Sequence, residues 1–132
     1  MNNEIIKSVE VLTADKNFAV GNDLVFIPDF DKSLTPLFKN KVYTATEINY
    51  CNLFDNSLVR YASTWAAKEA VYKAIKQLYN LPLGWKKIEI VRDKIAGKPQ
   101  VTLHTDQKNV HISLSISHDG DYAWAVAIAE KI

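Results

Sequence analysis

The chain has one cysteine, Cys51, among 132 residues, which excludes an internal disulfide and any CxxC metal or redox pair and fits a reducing compartment. Nothing around Cys51 resembles a nucleophile signature, so it reads as a packed thiol. Only 4 glycines and 4 prolines occur; they form no linker, repeat or low-complexity stretch, and residues 1–132 read as a single domain. Charge of one sign is also lacking. Sixteen Lys and Arg face fifteen Asp and Glu, a net charge of +1, which argues against nucleic acid as a partner while leaving room for local basic patches. Met1 to Lys7 shows no apolar run behind a basic start, so neither a secretory signal nor a membrane segment is read. The expected location is cytoplasmic, with no membrane partner.

What is present is an ordinary core, 48% hydrophobic and 23% charged, arranged with two different periods. In the first half, Phe18 to Ile27 reads as a strand interrupted by the polar stretch Gly21-Asn22-Asp23 and ended by Pro28. Thr44 and Glu47 have the spacing of a capping box and open a short helix containing Ile48, with Leu53 beyond. From Asp55 onward, Leu58, Tyr61, Ala62, Trp65, Tyr72, Ile75 and Tyr79 recur at helical spacing until Asn80, Pro82 and Gly84 stop the pattern. This is the long core helix.

The second half alternates. Lys87 to Arg92 and Gln100 to His104 read as strands joined by a turn over Asp93 to Gly97. His111 to Ser117 sets Ile112, Leu114 and Ile116 against serines, and Tyr122 to Ala129 sets bulky residues against alanines. The turn between them is centred on Asp119-Gly120. One hairpin face is therefore expected to be bulky and the other lined by Ser and Ala. Helices followed by antiparallel strands give an α+β fold, a long helix packed on an antiparallel sheet.

Three polar residues stand out. Glu69 falls in the apolar stripe of the long helix between Trp65 and Tyr72, with Lys73 one turn onward as an ion-pair partner in the favourable order. Asp23 interrupts an apolar strand, and His118 ends an alternating one. Each also has a structural reading: a helical salt bridge, a bulge residue and a capping histidine. Two carboxylates brought together from separate elements, beside lysines, would suit a hard cation with oxygen ligands and room for water and phosphate. Magnesium is the natural candidate.

Gly21-x-Asp23, the run Trp65-Ala66-Ala67-Lys68-Glu69-Ala70 with Lys73 and Ala74, Gly97-Lys98-Pro99, and Ser113 to His118 followed by Tyr122-Ala123 occur in that order. Together they resemble the 4'-phosphopantetheinyl transferase superfamily, most closely its holo-acyl-carrier-protein synthase type, over about residues 18 to 130. The resemblance implies transfer of 4'-phosphopantetheine from coenzyme A to a serine of an apo acyl carrier protein, with release of adenosine 3',5'-bisphosphate. It implies Asp23 and Glu69 as Mg²⁺ ligands, Glu69 and Lys73 as the catalytic pair, and Lys68, Lys73 and His118 as contacts to coenzyme A. The partner is an acyl carrier protein of fatty-acid or secondary-metabolite synthesis. A noncatalytic module binding carrier or coenzyme A on the same fold is the competing reading, against which stand Asp23, Glu69 and Lys73.

Val25 occupies the place where larger relatives carry a third acidic ligand, which, with the chain's length, points to the small type and to a homotrimer with sites between subunits. Two departures mark this chain. About seventeen residues precede the resemblance, with Ile5, Val9 and Val11 spaced for an extra strand. The segment after Asp23 holds Lys32, Lys39 and Lys41 beside Asp29 and Asp31 instead of being arginine-rich, so a different carrier surface is expected.

Overall fold

The computed structural model describes residues 17–80, 82–92, 97–106 and 109–132. The strand expected around Ile5, Val9 and Val11 and most of the turn after Asp93 lie outside them. The chain runs through strand β1 (Phe18–Phe26), helices α1 (Ile27–Ser33), α2 (Pro36–Val42), α3 (Ala45–Cys51) and α4 (Ser57–Leu78), a 3₁₀ turn (Trp85–Lys87), and strands β2 (Ile88–Val91), β3 (Gln100–Leu103), β4 (Val110–Asp119) and β5 (Tyr122–Lys131). The α+β expectation holds, with two antiparallel sheets: β1-β5-β4 and β2-β3.

The first strand differs from its sequence reading. Gly21, Asn22 and Asp23 pair without a break against Ala127, Val126 and Ala125 of β5. Pro28 does more than end the strand; it occupies the first turn of α1, where its missing N–H costs nothing. The turn of the C-terminal hairpin lies where the Asp-Gly pair placed it, with Gly120 at a φ of 56°, a left-handed conformation that favours glycine. The capping box of α3 is complete, the Thr44 hydroxyl accepting from Glu47 N and the Glu47 carboxylate accepting from Thr44 N.

The faces of the hairpin are also corrected. Directly opposed residues of an antiparallel pair project to the same side. The register opposes Ile112, Leu114 and Ile116 to Ala129, Ala127 and Ala125, and Ser113, Ser115 and Ser117 to Ile128, Val126 and Trp124. Each face thus mixes small with large side chains. The alanines of β5, all buried, join Ala19, Gly21 and Val25 of β1 on the face that receives α4. Small residues let the helix come close. A methyl added at Gly21 would collide with the Ala70 carbonyl and lie 2.7 Å from the Ala74 nitrogen, so strand and helix backbones nearly touch there. The opposite face leaves Leu24 61% exposed and Trp124 49% exposed, together with Phe18, Val20, Phe26, Tyr122 and Ile128.

Helix α4 is enclosed more widely than one apolar stripe requires. Ala62, Ala66, Ala67, Ala70 and Ala74 are fully buried with Val71, while Trp65, Glu69 and Tyr72 form a half-buried flank. Glu69 therefore sits on the border of the core, open on one side.

Candidate active site

The contact at Gly21 positions the site. Two residues beyond it on the same face of β1, Asp23 points at the flank of α4. Lys73 donates to Asp23 Oδ1 at 2.9 Å and to the Asn22 carbonyl at 3.2 Å. The lysine expected to pair with Glu69 along the helix instead reaches across to the strand.

Glu69, one turn before Lys73, lies beside the Asp23 side chain, with Trp65 one turn before it on the helix. Its carboxyl is pushed up to about 7. Burial is the largest cause and the negative charge of Asp23 the next, with Lys73 acting in the opposite direction. Proximity of two carboxylates thus exceeds what one lysine neutralises. The Lys73 side chain is 49% exposed and that of Asp23 13%, so the cluster opens to solvent.

Two converging carboxylates are a small ligand set. Among the described residues no group of three or more His, Cys, Asp or Glu side chains gathers to hold a metal. Oxygen donors with most positions left open fit Mg²⁺, which keeps several waters and takes phosphate oxygens, and fit poorly the closed N/S set of a structural zinc. Val25, at the place of a third acid, is buried in the core.

Lys68 requires a correction. Expected to meet coenzyme A phosphates, it is completely buried. Its ammonium lies 2.8 Å from Glu47 Oε1 and donates to the carbonyls of Trp85 at 2.7 Å and Ile88 at 2.5 Å. Those three acceptors saturate its donors. One residue further along α4 turns the side chain by 100°, enough to move it from the open flank into the interior.

His118 is exposed and shares the α4-facing side of the sheet with Asp23. It pairs with Ala123, which pairs with Val25 on its other side, so it stands two strand spacings, roughly 10 Å, across the sheet from β1 and one row further along. It borders the same end of the sheet without touching Asp23 or Glu69. Cys51 is buried and its thiol is pushed up to about 11, chiefly by burial, in keeping with a packed residue.

Glu47 was legible only as a capping residue. Its Oε1 accepts from Thr44 N at 2.9 Å and its Oε2 from Ile90 N at 2.8 Å, and it neutralises Lys68. The motif Thr44-x-x-Glu47 signals the first contact and nothing about the other two.

Two carboxylates and one lysine with an open side have room for a cation and a phosphate, and comparison with known proteins gives the class. Residues 19–127 match the model of the 4'-phosphopantetheinyl transferase superfamily, and the chain belongs to that family. It is 42% identical over 95 residues to the holo-[acyl-carrier-protein] synthase of Chlorobaculum parvum, covering 72% of this chain and 80% of the relative. The synthase of Geobacter sulfurreducens is 34% identical over 125 residues, 86% of this chain and 98% of the relative. The ACPS–CoA complex of Chronobacterium ammoniagenes superposes with a TM-score of 0.76 at 30% identity, covering 87% of this chain and 98% of that one. Within the superfamily, then, the chain is a phosphopantetheinyl transferase of the holo-acyl-carrier-protein synthase type.

Proposed function

We propose that the protein transfers 4'-phosphopantetheine from coenzyme A to a serine of an apo acyl carrier protein, using Mg²⁺ and releasing adenosine 3',5'-bisphosphate. The observation that carries the site assignment is the meeting of Asp23 and Glu69 beside Lys73 at the solvent-open crossing of β1 and α4. The ACPS–CoA complex of the structural relative supports coenzyme A as co-substrate.

In this reading the carrier's serine oxygen attacks the phosphorus that bears the pantetheine, forming the new P–O bond as the bond to the bridging pyrophosphate oxygen breaks. Glu69 accepts the serine proton directly or through an intervening water. Its half-buried setting raises its basicity. Lys73, held by Asp23 and the Asn22 carbonyl, places its ammonium against the departing phosphate, where negative charge accumulates. Bound between Asp23 and Glu69, Mg²⁺ would supply the charge that lets both carboxylates ionise and that offsets charge on the pyrophosphate oxygens. His118, exposed on the same side of the sheet, contacts the nucleotide end of coenzyme A.

The outer sheet face supports a homo-oligomer, in this reading a trimer with sites completed between subunits. Seven large apolar side chains there, from Phe18 on β1 to Ile128 on β5, stay at least 38% exposed. A continuous apolar face on one sheet is what an obligate partner covers. Carrier recognition falls to α1 and α2. Asp29 lies 3.9 Å from Lys32, and Lys39 lies over the Tyr61 ring, so the free positive charge is smaller than the lysine count suggests. No helix among the described residues is long and apolar enough to cross a membrane, in keeping with a cytoplasmic enzyme. Residues 1–17 are taken as an extension of the same single domain.

The test is an intact-mass assay with several apo carriers, coenzyme A and Mg²⁺. The reading expects a phosphopantetheine mass gain that EDTA abolishes and Mg²⁺ restores. Binding of carrier without any gain would turn the protein into a docking module.

A further inference from the structure

We infer that Lys68 is a positioning residue for Glu69: clamped by Glu47, it fixes the Trp85 turn, whose ring packs against Trp65 and Tyr72, the side chains that flank Glu69 on helix α4. The inference rests on the transferase reading above.

The chain of contacts is continuous. Glu47 is held at three points by Thr44 N, Ile90 N and Lys68, which joins the start of α3 to β2 and the middle of α4. Lys68 passes that constraint to the carbonyls of Trp85 and Ile88, at the two ends of the 3₁₀ turn. The Trp85 ring then packs at 4.7 Å from Trp65 and 5.2 Å from Tyr72, centroid to centroid. These two side chains flank Glu69 one turn on either side, at i−4 and i+3 of the same helix. Phe38 closes the far side of Trp65 at 5.2 Å.

Stability alone does not account for a fully buried ion pair. Desolvating an ammonium and a carboxylate costs about what their attraction returns, and an apolar pair of similar volume serves a core equally well. Directional bonds to three separate elements do what an apolar pair does not: they fix the height and rotation of the Trp85 turn. A carboxylate that must meet Asp23 on one side and a substrate on the other gains from that rigidity, because supporting contacts of reactive groups set their geometry.

The test is the paired variant Glu47→Gln with Lys68→Met, which removes both charges and keeps the volumes. The expected result is a folded protein whose kcat falls about tenfold or more while KM for coenzyme A stays within about twofold. Wild-type kcat would reduce the pair to a structural role, and a raised KM for coenzyme A at constant kcat would restore Lys68 to the ligand set. Trp85→Leu, which leaves the ion pair intact, is expected to give the same kcat loss and not to add to the paired variant; full additivity overturns the link. If the paired variant does not fold, Trp85→Leu alone decides, with wild-type kcat as the contrary result. A crystal structure of either variant separates this inference from the reaction assigned above: displacement of Glu69 from Asp23 supports it and an unmoved Glu69 refutes it, whatever the turnover. Failure of the wild-type protein to modify any carrier would instead strike the assigned reaction.

Discussion

Helix α4 carries two Lys–carboxylate clusters five residues apart, built from the same residue types and put to opposite uses. Lys68 meets Glu47 in the interior, and its three donors are all taken. Lys73 meets Asp23 at the surface, with Glu69 close by and its carboxyl pushed up to about 7. The inner cluster is balanced in charge and closed to water. The outer one has two carboxylates to one lysine and an open side, so it still has charge to satisfy. Saturation rather than composition separates a group that holds the fold from one that receives a ligand.

The largest expected effect falls on the open cluster. Glu69→Gln should cut transfer by roughly 10²- to 10⁴-fold, the range for removing a general base, while the melting temperature stays level or rises because two carboxylates no longer compete. An assay of holo carrier by intact mass beside a thermal melt reads both. Glu47→Ala adds a large loss of stability. It leaves the Lys68 ammonium buried without its counter-charge, and urea unfolding should show a loss of about 3–5 kcal/mol. Equal stability would mean that water reaches Lys68.

Gly21→Ala probes the contact on which the open cluster depends. A methyl forced against the Ala70 carbonyl should destabilise by about 1–3 kcal/mol and lower activity further than stability predicts, because Asp23 moves with the strand. Activity falling only in step with stability would uncouple Gly21 from the site.

Glu69 in the open cluster and Glu89 at the cap of α3 predict opposite pH slopes. Glu69 has a folded-state pKa raised from 4.5 to about 7, so its contribution is complete below 4.5 and is lost as pH rises through 7. In EDTA, Glu69→Gln should remove that loss, and added Mg²⁺ should do likewise in the wild type. Glu89, which accepts from Thr44 at the cap of α3, has its pKa lowered, first by that hydrogen bond. Its contribution is present above the ordinary value of 4.5 and is lost as pH falls through the lower folded value. Glu89→Gln should flatten only the acid limb of a plot of denaturation midpoint against pH, the smallest of these effects.

How much of this was legible in the sequence varied with distance along the chain. Local chemistry read well: Thr44 and Glu47 gave the capping box, Asp119-Gly120 the hairpin turn, and helical spacing the extent of α4 to within a residue or two of either end. Features set by pairing between distant segments did not. Each strand alternates by itself, and only the register reveals that serines face Ile128, Val126 and Trp124. The pairing of β1 with β5 joins residues 96 (Phe26 and Tyr122) to 112 (Phe18 and Glu130) positions apart. For the site, the sequence singles out Asp23, Glu69 and Lys73, and their side chains converge. The pairing of Lys73 with Asp23 and the burial of Lys68 were not visible, because alanines around α4 contribute little periodicity and one residue of rotation decides between surface and core.

In the proposed reaction the unsaturated cluster, not the saturated one, does the chemistry. Single-turnover transfer by Glu69→Gln, measured by intact carrier mass on protein shown to melt as the wild type does, decides the point. The expected result is a folded variant whose transfer is slowed by roughly 10²-fold or more; transfer at the wild-type rate would remove Glu69 from the reaction.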